Sequence, residues 1–159
     1  SGLTEYPLVT EPLFVVTAAD HLFAQQATVS PADLSNQKLL SLQTGHRLYD
    51  QTSEVCRLVG AQLSHDYEGT SLDAIRHMVA LGGGISLMPA LYVQSEVDPR
   101  SDVKAIPLSG APVSRTIGLV WRDSSALASE YRLFGELVQR ILAIKAPKCA
   151  LSCDGIDQP

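Results

Sequence analysis

Chemistry in this chain could run through four histidines, three cysteines and seventeen carboxylates. His21, His46, His65 and His77 lack the H-x-x-x-H spacing of zinc ligands, and the cysteines lack C-x-x-C. Each histidine is therefore read first as a surface or hydrogen-bonded side chain, with His46 held open because it stands beside the glycine of the central loop, and no metal site or cofactor is expected. There is no G-x-S-x-G elbow and no histidine stands beside a nucleophile, which argues against a serine hydrolase. The run Gly82-Gly83-Gly84 invites a phosphate-loop reading, but that loop needs a strand before it and a helix after it. Here the order is reversed, so the glycines read as a helix stop that also permits close backbone approach. What survives is the stretch from Gln43 to Cys56, in which Thr44, Gly45, His46, Arg47 and Asp50 follow the apolar run Leu39 to Leu42 and enter a segment of helical spacing. A strand end meeting a helix N-terminus is where α/β proteins bind ligands.

Composition narrows the possibilities further. With 159 residues, 45% hydrophobic and 18% charged, the chain can bury one good core, as a single unit or two small lobes. A net charge of -5 argues against direct nucleic-acid binding, which requires clustered Lys and Arg. No apolar run approaches the roughly 18 residues of a membrane span, and the opening Ser1-Gly2-Leu3-Thr4-Glu5 is unlike a signal peptide, so a soluble, cytoplasmic chain is expected. Three cysteines without repeated spacing do not make a disulfide framework. Cys56 falls on an apolar stripe and reads first as a packed thiol. Cys149 and Cys153, in a tail with Pro147, Gly155 and Pro159, could bridge or bind a metal, but the plainer expectation is a frayed end with incidental thiols.

The elements that must position these residues follow from periodicity. Pro12 to Ala18 predicts a buried strand, Asp20 to Gln26 a turn and short helix, and Ser30-Pro31-Ala32-Asp33-Leu34 a brief capped helix. Lys38 to Gln43 predicts the strand feeding the central stretch. Leu48, Thr52, Val55, Cys56 and Val59 then form one helical stripe that Gly60 is placed to end. His65 to Thr70 reads as a strand. Thr70-Ser71-Leu72-Asp73 matches a capping box ahead of the stripe Leu72, Ile75, Met78 and Val79. Beyond the glycines come a strand at Ile85 to Met88, a short helix from Pro89 to Gln94, turns at Asp98 to Asp102 and Ser109 to Pro112, and strands at Val103 to Leu108 and Arg115 to Arg122. Asp123-Ser124-Ser125 is expected to cap a last helix with the stripe Leu127, Tyr131, Phe134, Val138, Ile141 and Leu142. Strands alternating with helices place the chain in the α/β class, with a mixed or parallel sheet flanked by helices.

Taken together, Glu11-Pro12-Leu13-Phe14, Ser30 to Leu34, Gly45 to Gln51, Thr70 to Asp73, Gly84 to Ala90 and Arg115 to Val120 resemble the effector-binding domain of LysR-type transcriptional regulators. The likeness spans about residues 6 to 144 and is greatest to peroxide-sensing members of that family. It implies a two-lobed fold similar to periplasmic binding proteins, with an effector pocket between the lobes. On that pattern residues 1–12 cross over from the first lobe, 13–114 form the second lobe, 115–145 supply a return strand and C-terminal helix, and 146–159 are a flexible tail. The first lobe would be incomplete in this chain, and the stripe of the last helix would need another element to cover it.

The resemblance also implies a regulator of transcription and not an enzyme. It would act as a homodimer or homotetramer, bind DNA through a winged helix-turn-helix absent from this chain, and respond to a small molecule or peroxide. Thr44, Gly45, His46, Thr70 and Ser71 match loops that line the effector pocket. The reactive cysteine of the peroxide sensors directly follows Gly-His, which is Arg47 here, and the resolving cysteine falls at Cys56, the one redox candidate. Two positions nine residues apart on one helix are separated by about 13 Å, beyond the roughly 7 Å a disulfide allows, so even a thiol at 47 would need partial unfolding to bridge. Arg47 could instead hold an anionic effector or pair with Asp50. Two other classes are a solute-binding protein of the same fold and a thiol enzyme using Cys56.

Overall fold

The computed structural model describes residues 2–98, 100–110, 114–146 and 150–151. They fall into two compact units, Leu13–Val113 and the pair of segments Ser1–Pro12 with Ser114–Pro159. One strand, β1 (Leu3–Ala18), serves both. It starts well before the Pro12 boundary expected from the β-branched run and its flanking proline. Pro7 and Pro12 look like strand breakers, but Pro7 sits at a register shift and Pro12 at the end of the pairing with Ser114, positions a strand tolerates.

The larger unit is an α/β sheet in the order β3-β2-β4-β1-β5, formed by β2 (Lys38–Leu42), β3 (Gln62–Gly69), β4 (Ile85–Pro89), β5 (Val103–Pro107) and the Leu13–Ala18 half of β1. β2 lies parallel to both β3 and β4, whereas β1 is antiparallel to β4 and β5. The helices α1 (Arg47–Val59), α2 (Leu72–Ala80) and α3 (Ala90–Glu96) follow β2, β3 and β4 in turn. Their apolar stripes are inward: Leu48, Thr52, Val55 and Cys56 of α1 and Ile75 and Val79 of α2 are buried, as are Leu39, Leu40, Leu87 and Met88 of the sheet. Gly60 ends α1 in the left-handed conformation with φ +73°. Gly84, at φ +152°, leads into β4 where a Cβ would lie 2.7 Å from the carbonyl oxygen of Lys38, so this glycine is required by both backbone and space. The two brief helices expected before β2 are single 3-10 turns, Leu22–Gln25 and Pro31–Leu34. The turn at Asp98 is present, closed by the Ser101 amide on the Asp98 carbonyl at 2.9 Å. Residues 111–113 of the turn after Ser109 lie outside the described residues.

In the smaller unit the Leu3–Pro12 half of β1 pairs antiparallel with β6 (Ser114–Arg122), and α4 (Ala128–Lys145) packs on this ribbon. Asp123-Ser124-Ser125 does not cap α4. The N-cap is Leu127 without a side-chain bond, and Ser125 instead accepts the Leu127 amide at 3.3 Å, tightening the turn before the helix. The stripe on α4 also divides. Tyr131, Val138 and Leu142 are half-buried, with Gly135 set against the Tyr6 ring, whereas Leu127, Phe134 and Ile141 are exposed beside Leu133, Leu137 and Ile144. Ala150–Leu151 form a short strand, β7, paired with Val9 and Thr10, where a frayed end is expected; Cys149 and Cys153 lie outside the described residues.

Close to the boundary of the units, Glu11 is completely buried and Arg115 contacts its Oε1 from both Nε and Nη2 at 2.7 Å. A buried carboxylate is tolerable only with such a partner. Arg115→Ala is expected to destabilise the fold by about 3 kcal/mol in urea unfolding, the low end for breaking a buried pair because Arg115 itself stays a third exposed. A loss under about 0.5 kcal/mol, the scale of a surface pair, would show that the pair contributes nothing special.

Candidate functional site

The parallel pairing of β2 and β3 builds the site. Ser41 is in register with Glu68 and Leu42 with Gly69, and one residue later the Gln43 amide donates to the Gly69 carbonyl at 3.1 Å. Both strands therefore end at the same edge, and the loops that leave them start side by side. One carries Thr44, Gly45 and His46 into Arg47, the first residue of α1; the other carries Thr70 and Ser71 into α2. All six residues are exposed, as is Asp50 one turn along α1. Gly45 has φ +93°, a conformation that L side chains rarely adopt, and it turns the chain from strand to helix.

Two helix N-termini thus open at one edge, each presenting first-turn amides that no intrahelical carbonyl accepts. Their capping differs. Ser71 caps α2 by accepting the Ala74 amide at 3.2 Å, so the cap lies one residue after Thr70, the position expected from the pattern. The reason is that Thr70 and Ser71 are equally competent acceptors and only the chain path out of β3 decides between them. The reciprocal capping box is found instead at Ser30 and Asp33. His46 is the N-cap of α1 but makes no side-chain capping bond. Among the described residues Arg47 and Asp50 form no ion pair, so the local pairing considered from sequence is not made and the guanidinium is left facing solvent. The arrangement is a cation, hydroxyls and helix N-termini at one edge, which suits a small anion.

Cys56 has a different character. It lies two and a half turns down α1, is only 6% exposed, and burial pushes its thiol up to about 11. A thiol in such surroundings stays protonated at neutral pH and is a poor nucleophile. Among the described residues no group of three or more His, Cys, Asp and Glu could hold a metal, and no helix is long and apolar enough to cross a membrane. Several concavities lie away from this edge: one of about 780 Å³ is bordered by Trp121, Tyr131 and Phe134, one of about 590 Å³ by Tyr6, Pro7 and Leu119, and one of about 420 Å³ by His21, Lys38 and Gly84 at the opposite ends of β2 and β4. Sequence reasoning missed a polar cluster next to the edge: the Tyr92 hydroxyl donates to Asp73 Oδ1 at 2.7 Å and accepts from Arg76 Nε at 3.3 Å. Asp73 and Arg76, three apart on a helix, are visible in the sequence; Tyr92 comes from α3 and leaves no local signal.

The state of Cys56 yields a direct test. A maleimide should modify it negligibly in the native chain at pH 7, with the rate climbing about tenfold per pH unit as the thiolate forms. Because the folded thiol titrates above its ordinary value of 9.0, its contribution to stability is complete below that value and is lost as the pH rises towards about 11. Rapid native labelling of Cys56 at pH 7 would contradict a buried, protonated thiol.

Comparison with known proteins places these features in context. Residues 1–143 match the model of the LysR substrate binding domain. The DNA-binding transcriptional dual regulator OxyR of Escherichia coli (strain K12) is 41% identical over 135 residues, covering 85% of this chain and 44% of the relative. Among solved structures, a cysteine-to-serine mutant of Corynebacterium glutamicum OxyR with hydrogen peroxide bound has a TM-score of 0.80 at 32% identity, covering 92% of this chain and 47% of that one. The reduced form of OxyR from N. meningitidis has a TM-score of 0.77 at 29% identity, covering 96% and 69%. The chain thus spans less than half the length of the E. coli relative it matches.

Proposed function

The chain belongs to the family of LysR substrate-binding domains, and on that premise we propose that it is the effector-binding regulatory domain of an OxyR-like transcriptional regulator whose signal is read at the edge formed after β2 and β3. The observation that carries this proposal is the exposed Arg47 at the N-terminus of α1, which forms no ion pair among the described residues and follows a loop that starts alongside the one carrying Thr70 and Ser71. At the position where the family likeness puts the reactive cysteine there is no sulfur to oxidise. A guanidinium and two helix N-termini instead offer fork-like and backbone donors to a carboxylate, phosphate or sulfate group. Thr44, Gly45, His46, Arg47, Thr70 and Ser71 contact the effector, and Asp50 sets the limit of the site along α1. Cys56 is held in reserve as a packed thiol.

In the whole regulator, a winged helix-turn-helix domain outside these residues binds DNA, and the regulatory domains associate as a homodimer or homotetramer. Effector binding shifts the population between two arrangements of that assembly, with no turnover. The exposed Leu133, Phe134, Leu137, Ile141 and Ile144 of α4 support the packing of first-lobe elements of the same regulatory domain on that face.

Titration calorimetry of the chain with inorganic sulfate and a set of small dicarboxylates, alongside a free-thiol count after stoichiometric peroxide, tests the proposal. Wild type should bind one anion, Arg47→Ala should weaken it at least about tenfold, the scale of a charge-assisted bidentate contact, and peroxide should leave the three thiols intact. Loss of two thiols on peroxide treatment would instead make the chain a redox sensor, and anion binding indifferent to Arg47→Ala would remove the site.

A further inference from the structure

In its first half β1 has two edges of unequal fate. From Leu3 to Pro12 one edge is taken by β6. Val9 and Thr10 pair with Ile117 and Thr116 of β6 and also with Leu151 and Ala150 of β7, so β7 lies on the opposite, outer edge. Among the described residues no strand meets that outer edge between Leu3 and Leu8. An open strand edge is a template for pairing with another chain, and proteins blunt it with charges, prolines, bulges or a covering element. Most of these devices are present in β1 itself. Glu5 is exposed, Pro7 has no N–H to offer, and the register against β6 shifts between Pro7 and Val9, which leaves Leu8 out of the ladder. The Pro7 carbonyl is occupied as well: Gln139 Nε2 of α4 donates to it at 2.9 Å, and Gln139 Oε1 accepts the Tyr6 hydroxyl at 3.3 Å. Beyond the bulge these protections stop. Val9 and Thr10 are β-branched, uncharged and keep their N–H groups, which makes them the stretch best suited to strand addition. That is where β7 sits.

We propose that β7 is a guard strand: it closes the last unprotected stretch of the outer edge of β1 and so keeps that edge from pairing, antiparallel, with the same edge of a second copy of this chain. A strand laid antiparallel on its own copy is self-complementary, as a two-fold interface requires. The stretch is short, bounded by Pro7 and Pro12, so the pairing it allows is weak and rises with concentration. The guard is equally light. A strand of two residues opens far more readily than the long pairing of β1 with β6, so β7 can be withdrawn while the ribbon beneath α4 stays formed. The site of effector recognition has no part in this proposal.

The test is amide hydrogen exchange over residues 8–11, read across about a hundredfold range of chain concentration. Three proteins are compared: wild type, a chain ending at Ala146, and the full chain with both Ala150→Pro and Leu151→Pro, which removes the two N–H groups of β7 and keeps the length. Emission from Trp121 of β6, the single tryptophan, reports whether the ribbon is intact in each. Wild type should exchange slowly over these residues at every concentration. Both variants should exchange at least about fivefold faster when dilute, the worth of one lost hydrogen bond, and regain protection over the same residues as concentration rises. If the shorter chain does not fold, the proline variant gives the same reading. Dilute variants that exchange like wild type, or faster exchange that concentration does not reverse, overturn the proposal. So does association that protects residues 133–144 and leaves 8–11 open, because the contact is then the apolar face of α4.

Discussion

Strand β1 is the constraint on which the structure depends. A single run of sixteen residues supplies the hydrogen-bonding partner of β6 with its first part and of β4 and β5 with its last, so neither unit completes its sheet without it. The change of partners is encoded in side chains. From Leu13 to Ala18 every residue is buried, as a strand covered on both faces requires, whereas from Leu3 to Tyr6 exposed and half-buried residues alternate. Glu11 falls near the junction and is, among the described residues, the one fully buried carboxylate, which makes the guanidinium of Arg115 a condition of this strand's path.

Because β1 is antiparallel to β4 while β2, β3 and β4 are mutually parallel, three strand-to-helix turns open at a common edge. That geometry gathers donors that are distant in sequence, and α1 uses its length to keep two chemistries apart. Its N-terminus presents Arg47 to solvent next to the end of β3; its inner face carries Cys56 among Leu48, Thr52 and Val55, where desolvation suppresses the thiolate. A cation at one end and a silent thiol in the middle fit recognition of charge better than exchange of sulfur bonds.

Much of this was legible in the residues alone. The apolar spacing of Leu48, Thr52, Val55 and Cys56, the glycine after Val59 and the order of strands and helices predict α1 and the α/β class, because periodicity and φ preference are local properties. The same spacing places Gly45 to Arg47 at a strand end. Three things were decided only by tertiary structure. The cap of α2 fell on Ser71 and not Thr70, a choice between adjacent hydroxyls set by the exit from β3. The stripe of α4 split into a half-buried and an exposed face, since periodicity reports which residues are apolar but not what is there to cover them. The side-by-side start of the loops after β2 and β3, and the contact of Asp73 with Tyr92, came from strand register and helix packing, long-range pairings that leave no trace in local sequence.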